Sequence, residues 1–162
     1  WLLDNLIDDR RLAEAREALE KLARIDHTFR TPLYRYLIAQ AAGESEEMDE
    51  CLGQLESLAE SEWCCATTLG DIYTQRQEYD RAIAWYRKGQ ELQPSPKYTD
   101  SAMSIAHICE IRGDYRKAAE TYDRIIDLLE NEWGLTEETD SSVTVAKTKK
   151  ARMLAKAEAA RG

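Results

Sequence analysis

The residues of this chain that could do chemistry are its 31 acidic side chains, two histidines and four cysteines. Carboxylates work as a general acid and base only when a cleft drives their pKa values apart. The dense acidic runs, Glu44-Ser45-Glu46-Glu47 and Thr136-Glu137-Glu138, read instead as solvated helix starts, where negative charge meets the positive end of the helix dipole. Cys51, Cys64, Cys65 and Cys109 contain no CxxC pair, and His27 and His107 do not complete a metal-ligand spacing with them. The adjacent Cys64 and Cys65 could close only a strained ring, so a redox role is disfavoured. Scattered thiols of this kind fit a reducing, cytoplasmic setting. No glycine-rich phosphate loop, HExxH or GxSxG is present. The expectation is a protein with no catalytic residue, no cofactor and no metal. His107 is the polar residue of most interest: it lies on the first helix of its unit, one residue past Ala106 and off the packing seam, where it is an exposed histidine or a ligand-contacting group.

The elements that hold these residues are helical. Three prolines and seven glycines are few for 162 residues, and Ala, Leu, Glu, Lys and Arg dominate. No apolar run approaches the roughly 20 residues that span a bilayer, so no membrane contact is expected. The net charge of -9 disfavours contact with nucleic acid by this segment. The charge is uneven. From Asp140 onward there are six basic residues (Lys147, Lys149, Lys150, Arg152, Lys156, Arg161) and two acidic ones, Asp140 and Glu158. That leaves a strongly acidic body with a basic tail. The chain begins at Trp1 rather than Met, which suggests a piece of a longer protein.

A repeat organises the body. Its clearest unit carries Leu69, Gly70, Tyr73, Tyr79, Ala82, Tyr86 and Pro94. The small Gly70 and Ala82 allow two antiparallel helices to approach. Tyr73 and Tyr86 fill the space between hairpins, and Pro94 ends the second helix. A looser unit follows, with Ala106 and Cys109 in the places of Gly70 and Tyr73, then Gly113-Asp114, Tyr115, Ala118 and Tyr122. Earlier units are fainter: Ala39, Ala42, Met48, Cys51 and Leu55 form one. Leu12, Ala15 and Leu19 form the second helix of another, whose first helix begins at or before Trp1. These residues and spacings resemble the tetratricopeptide (TPR) signature, whose period is about 34 residues. Two extra residues are expected in the Pro94-Ser95-Pro96 loop. The family's tryptophan position holds Ala66. The resemblance implies an all-α fold, a right-handed superhelical stack of antiparallel hairpins, closed by a C-terminal capping helix. About four hairpins over residues 1–139 and the capping helix over 140–162 are expected.

The helices are placed at Leu2–Ile7, Arg10–Arg24, Pro32–Ala42, Ser45–Glu60, Glu62–Gln75, Glu78–Leu92, Tyr98–Ile111, Tyr115–Glu132 and Ser141–Ala160. Thr31 with Pro32, and Asp140 with Ser141 and Ser142, supply start signals. Gly43 and Gly113 stand where a helix ends in the left-handed region. On the last helix Val143, Val145, Ala146, Met153, Leu154 and Ala157 are the candidate apolar face, and its basic residues could meet the acidic body or a partner.

In such repeats the first helix of each hairpin lines the concave side. Tyr36, Gln40, Thr67, Asp71, Thr74, Gln75, Met103, His107 and Glu110 are the candidate binding residues there, with Asp4 and Asp8. Some members clamp a C-terminal carboxylate with Lys, Asn and Arg. Here the matching places hold Thr67, Asp71, Met103 and His107, so chaperone-tail binding is disfavoured. An acidic groove favours a neutral or basic polypeptide.

The stretch from Tyr122 to Thr139 is similar to the end of TPR regions in bacterial helix-turn-helix (Xre-like) transcriptional regulators. Ile125, Ile126, Leu129, Glu132, Trp133, Gly134 and Thr136 carry that similarity. It implies a sensing or homodimerising domain, with a DNA-binding domain before Trp1. The groove asparagines of peptide-sensing members have no counterpart, since Asn5 and Asn131 are the only asparagines. The leading expectation is a protein- or peptide-binding module. A regulator domain is the alternative, and a solenoid covering an enzyme domain the third reading.

Overall fold

A computed structural model describes residues 2–162. Trp1, and with it the start expected for the first helix, lies outside the described residues. Those residues form α1 (Leu2–Asp8), α2 (Leu12–Ala23), α3 (Arg30–Ala42), α4 (Ser45–Ala59), α5 (Trp63–Gln75), α6 (Tyr79–Leu92), α7 (Asp100–Ile111), α8 (Tyr115–Asp127) and α9 (Ser141–Ala159). A π-helical turn, Leu128–Glu132, extends α8. Among the described residues there is no strand. The chain divides into two compact units, Trp1–Glu60 and Ser61–Gly162. Within each, consecutive helices pack on one another, as in a solenoid of hairpins.

The repeat is written most plainly in the backbone. Four first helices end in the same way, with a left-handed residue at Arg10, Gly43, Gln77 and Gly113. Each turn makes the same pair of bonds. In the hairpin of α5 and α6, Gln77 N donates to Thr74 O at 3.0 Å and Glu78 N to Tyr73 O at 2.9 Å. The other three repeat the pair at Arg10–Arg11, Gly43–Glu44 and Gly113–Asp114. This is the Schellman closure, which satisfies carbonyls that a helix end would otherwise leave unbonded. The next residue then opens the second helix without a side-chain cap at Arg11, Glu44, Glu78 and Asp114. The glycines expected to end helices, Gly43 and Gly113, lie in the left-handed region at φ 77 and 74.

In the first unit, Leu3 and Leu6 of α1 pack with Ala15, Leu19 and Ile38. In the second, Leu69, Tyr73, Ala82, Tyr86, Ala106, Ala118 and Tyr122 are all buried. Gly70 is required by space. A Cβ there would lie 2.5 Å from Cδ1 of Tyr86, whose ring crosses α5 at that point. Gly89 serves the same close approach, since its Cβ would meet Thr67 Oγ1 at 2.8 Å. Tyr115 is only half-buried, and the Lys156 ammonium stands 5.4 Å from its ring centre. Pro94 follows a residue in extended backbone, Gln93 at ψ 133, and α6 ends at Leu92.

Three details depart from the sequence reading. Thr31 does not cap α3; the helix begins two residues earlier, at Arg30 after Phe29, and Thr31 Oγ1 donates to Asp26 O from the first turn. Regular α8 stops at Asp127 and widens into the π turn, closed by Trp133 N donating to Leu128 O. That widening delivers Trp133 Nε1 to Lys97 O at 2.7 Å, while Glu132 accepts from Lys97 N at 2.8 Å. The loop after Pro94 is thus fastened to the end of α8. On α9, Val143, Ala146 and Met153 are buried, but Val145 and Leu154 are exposed. The apolar stripe is narrower than expected because α9 rests chiefly on one neighbour, α8. Asp140 caps α9 as expected, accepting from Ser142 N at 2.7 Å.

Candidate protein-interaction surface

The four identical turns fix a register for the first helices. Counting back from each turn, Thr67, Asp71, Thr74 and Gln75 share one face of α5, and Met103, His107 and Glu110 share the equivalent face of α7. Asp71, Gln75 and His107 are exposed, and the others half-buried. Ile111, 52% exposed, is the α7 equivalent of Gln75 and belongs to the same face. The sequence reading passed over it because it is apolar and sits at the helix end.

In the first unit the same register places Gln40, exposed, on the corresponding face of α3. Tyr36 is a correction. It is 1% exposed, and it occupies the register position of Gly70, so it packs in the core. Its hydroxyl is buried with no hydrogen-bond partner among the described residues. The face positions next to it on α3 are Leu33 and Leu37, both half-buried. A register counted from the turn finds them; spacing from the faint packing residues of this unit pointed instead to Tyr36. On α1, Asp8 is exposed and Asp4 accepts from the Tyr34 hydroxyl at 3.1 Å.

Several face residues have structural work. The Tyr86 hydroxyl passes Gly70, donates to Asp71 Oδ1 at 2.6 Å and lies 3.3 Å from Thr74 Oγ1. Burial, then the Asp71 carboxylate, push the Tyr86 phenol up to about 12. Thr67 Oγ1 donates to Trp63 O at 3.0 Å and meets Ser101 Oγ at 3.3 Å, joining α5 to α7. Met103 lines a cavity of about 280 Å³ with Ile125, Leu129, Val145 and Ala146. Glu110 pairs with Lys156 of α9 at 3.3 Å.

The basic face of α9 meets acidic residues of its own unit. Lys147 pairs with Glu130 and Glu137 at 2.8 and 2.6 Å, and Lys150 with Asp123 at 2.5 Å. Of the cysteines, Cys51, Cys65 and Cys109 are buried and Cys64 is exposed, all as free thiols. Burial first, then Glu62, raise the Cys65 thiol to about 12, away from the thiolate that redox chemistry needs. Among the described residues no helix is long and apolar enough to cross a membrane.

A stack of hairpins with small residues at its crossings and polar side chains along its first helices defines a helical-repeat protein of the interaction class. The family model of the tetratricopeptide repeat matches residues 66–96, the hairpin of α5 and α6 through Pro96. The matched hairpin shares its turn hydrogen bonds with the other three. No curated protein matches the chain at the level that marks a relative. The repeat supports a protein–protein interaction module in general.

Proposed function

We propose that the chain binds an extended segment of another polypeptide along the first-helix faces, with Gln75, His107 and Ile111 as the main contacts in the second unit. The observation that carries this reading is the division of labour on α5 and α7. Asp71, Thr74, Thr67 and Glu110 have internal partners, whereas Gln75, His107 and Ile111 are exposed on the same register. Hydrogen-bonding side chains beside an exposed isoleucine suit a backbone with intermittent apolar side chains. Asp71 keeps a negative charge near them, which favours a neutral or basic segment. The test is a peptide array probed with the natural chain and with the double variant Gln75→Ala/His107→Ala. The variant should keep its melting temperature and lose roughly tenfold in affinity for the peptides bound by the natural chain. An unchanged binding profile would overturn the assignment of this face.

The alternative, a sensing or homodimerising domain of a helix-turn-helix regulator, draws support from the end of α8. The π turn, Glu132-Trp133, Gly134 at φ 66 and the Asp140-capped last helix follow the order that the similarity implies. The natural coding sequence before Trp1 decides it: a helix-turn-helix pattern there supports this reading, and its absence removes it.

A further inference from the structure

The second unit has another surface that the first-helix faces do not use. Where α6 and α8 flank α7, they enclose a cavity of about 330 Å³. Its floor is apolar: Ile83 is half-buried, and Ile105 and Cys109 are 5% and 4% exposed. Its rim carries four cations, Arg87, Arg112, Lys117 and Arg124. Arg112 is occupied by Asp80 at 2.7 Å and lies 3.9 Å from Asp114. These are two of the three carboxylates on the rim, the third being Glu120. The charged groups of Arg87, Lys117 and Arg124 make no ion pair or hydrogen bond among the described residues, while the basic residues Lys147, Lys150 and Lys156 of α9 are paired.

The rim carries four cations against three carboxylates. Arg112 holds Asp80 and lies near Asp114, which leaves Glu120 as the one carboxylate beside Arg87, Lys117 and Arg124, so these three cations repel each other with partial compensation. An anion from outside relieves that repulsion. A long nucleic acid is a poor fit, because its phosphate backbone would run on past the rim over an acidic body that repels it. A short acidic peptide meets both features. Its carboxylates reach the free guanidinium and ammonium groups, and an apolar side chain between them covers Ile83 and Ile105. We propose that the α6–α8 groove docks an acidic segment of a partner polypeptide, with Arg87, Lys117 and Arg124 as the charge-reading residues. This does not depend on the first-helix face, and the expected charge preference is opposite.

The experiment is fluorescence anisotropy with a labelled peptide alternating glutamate and leucine, titrated with the whole chain. A lysine–leucine peptide and a single-stranded oligonucleotide are the comparison probes. The natural chain should bind the acidic peptide and not the oligonucleotide, with affinity falling as salt is raised, and any binding of the lysine–leucine peptide, which suits the first-helix face, should not depend on the cations of this groove. The triple variant Arg87→Gln/Lys117→Gln/Arg124→Gln should weaken binding about tenfold, whereas Arg116→Gln, exposed on α8 away from the cavity, should not. Melting curves establish that both variants are folded. No binding of the acidic peptide, equal binding by the triple variant, or equal binding of the oligonucleotide would each overturn the proposal.

Discussion

At the scale of single residues, Asp71 changes role most between sequence and structure. By residue type it is a surface carboxylate on a binding face. Its neighbours make it the acceptor for a tyrosine that threads past Gly70. Removing it leaves the Tyr86 hydroxyl, in a residue 2% exposed, short of its best acceptor. Asp71→Ala should therefore cost about 1–2 kcal/mol, where a free surface carboxylate would cost under about 0.5 kcal/mol. Urea denaturation measures it, and the double variant with Tyr86→Phe should lose less than the two single losses added. A cost near zero would mean that the hydrogen bond contributes nothing. Tyr36 shows the converse. Spacing suggested a place on the binding face, yet its register puts it in the core, at the position that Gly70 occupies in the clearest unit.

At the scale of the helix and turn, local rules were legible to a degree that tertiary contacts barely modified. Eight of the nine α-helices among the described residues start and end within two residues of the sequence reading, with Gly43, Gly113, Pro94 and Asp140 as strong local signals. The start of α3 was missed because Pro32 fits the first turn at more than one position and does not fix the first residue. The π turn was missed because nothing near Leu128 signals it, and the contacts that hold its end are made to a loop distant in sequence, at Lys97. The four turns also differ in a useful way. Two use glycine in the left-handed region; Arg10 and Gln77 occupy it at φ 57 and 60. A side chain costs about 1–2 kcal/mol there. Gln77→Gly should therefore stabilise the second unit by about 0.5–1 kcal/mol, net of the added freedom of the unfolded chain. A rise in melting temperature checks this, and a fall would mean that the Gln77 side chain holds something the turn needs.

For the whole molecule, the charge pattern has two consequences. The basic tail turns out to neutralise acidic residues of the unit on which it packs, so much of the sequence-level asymmetry is internal. Stability at high pH follows from two buried acids. Tyr86 rises from an ordinary 10.0 to about 12, and Cys65 from 9.0 to about 12. Both folded values lie above the unfolded ones, so the folded chain holds these protons more tightly. Their contribution is complete below about pH 9 and is lost progressively as the pH rises towards 12. Melting temperatures taken between pH 8 and 11 should fall. The double variant Tyr86→Phe/Cys65→Ala should fall less steeply; an identical slope would place the alkaline sensitivity elsewhere.

Helix content, the hairpin repeat, the turn glycines and the cap of α9 were determined by the sequence, because each depends on dihedral preference, side-chain size or periodicity within a few residues. The tertiary structure decided which face each first helix turns outward, and which polar residues are already occupied. It also brought the unpaired cations of α6 and α8 around one cavity. Arg87, Lys117 and Arg124 lie on two helices separated in sequence by α7, and on each helix the basic residues alternate with acidic ones, Asp80 and Glu91 on α6 and Glu120 and Asp123 on α8. Only packing brings them together, and only packing shows that the carboxylates nearest Arg112 are already taken.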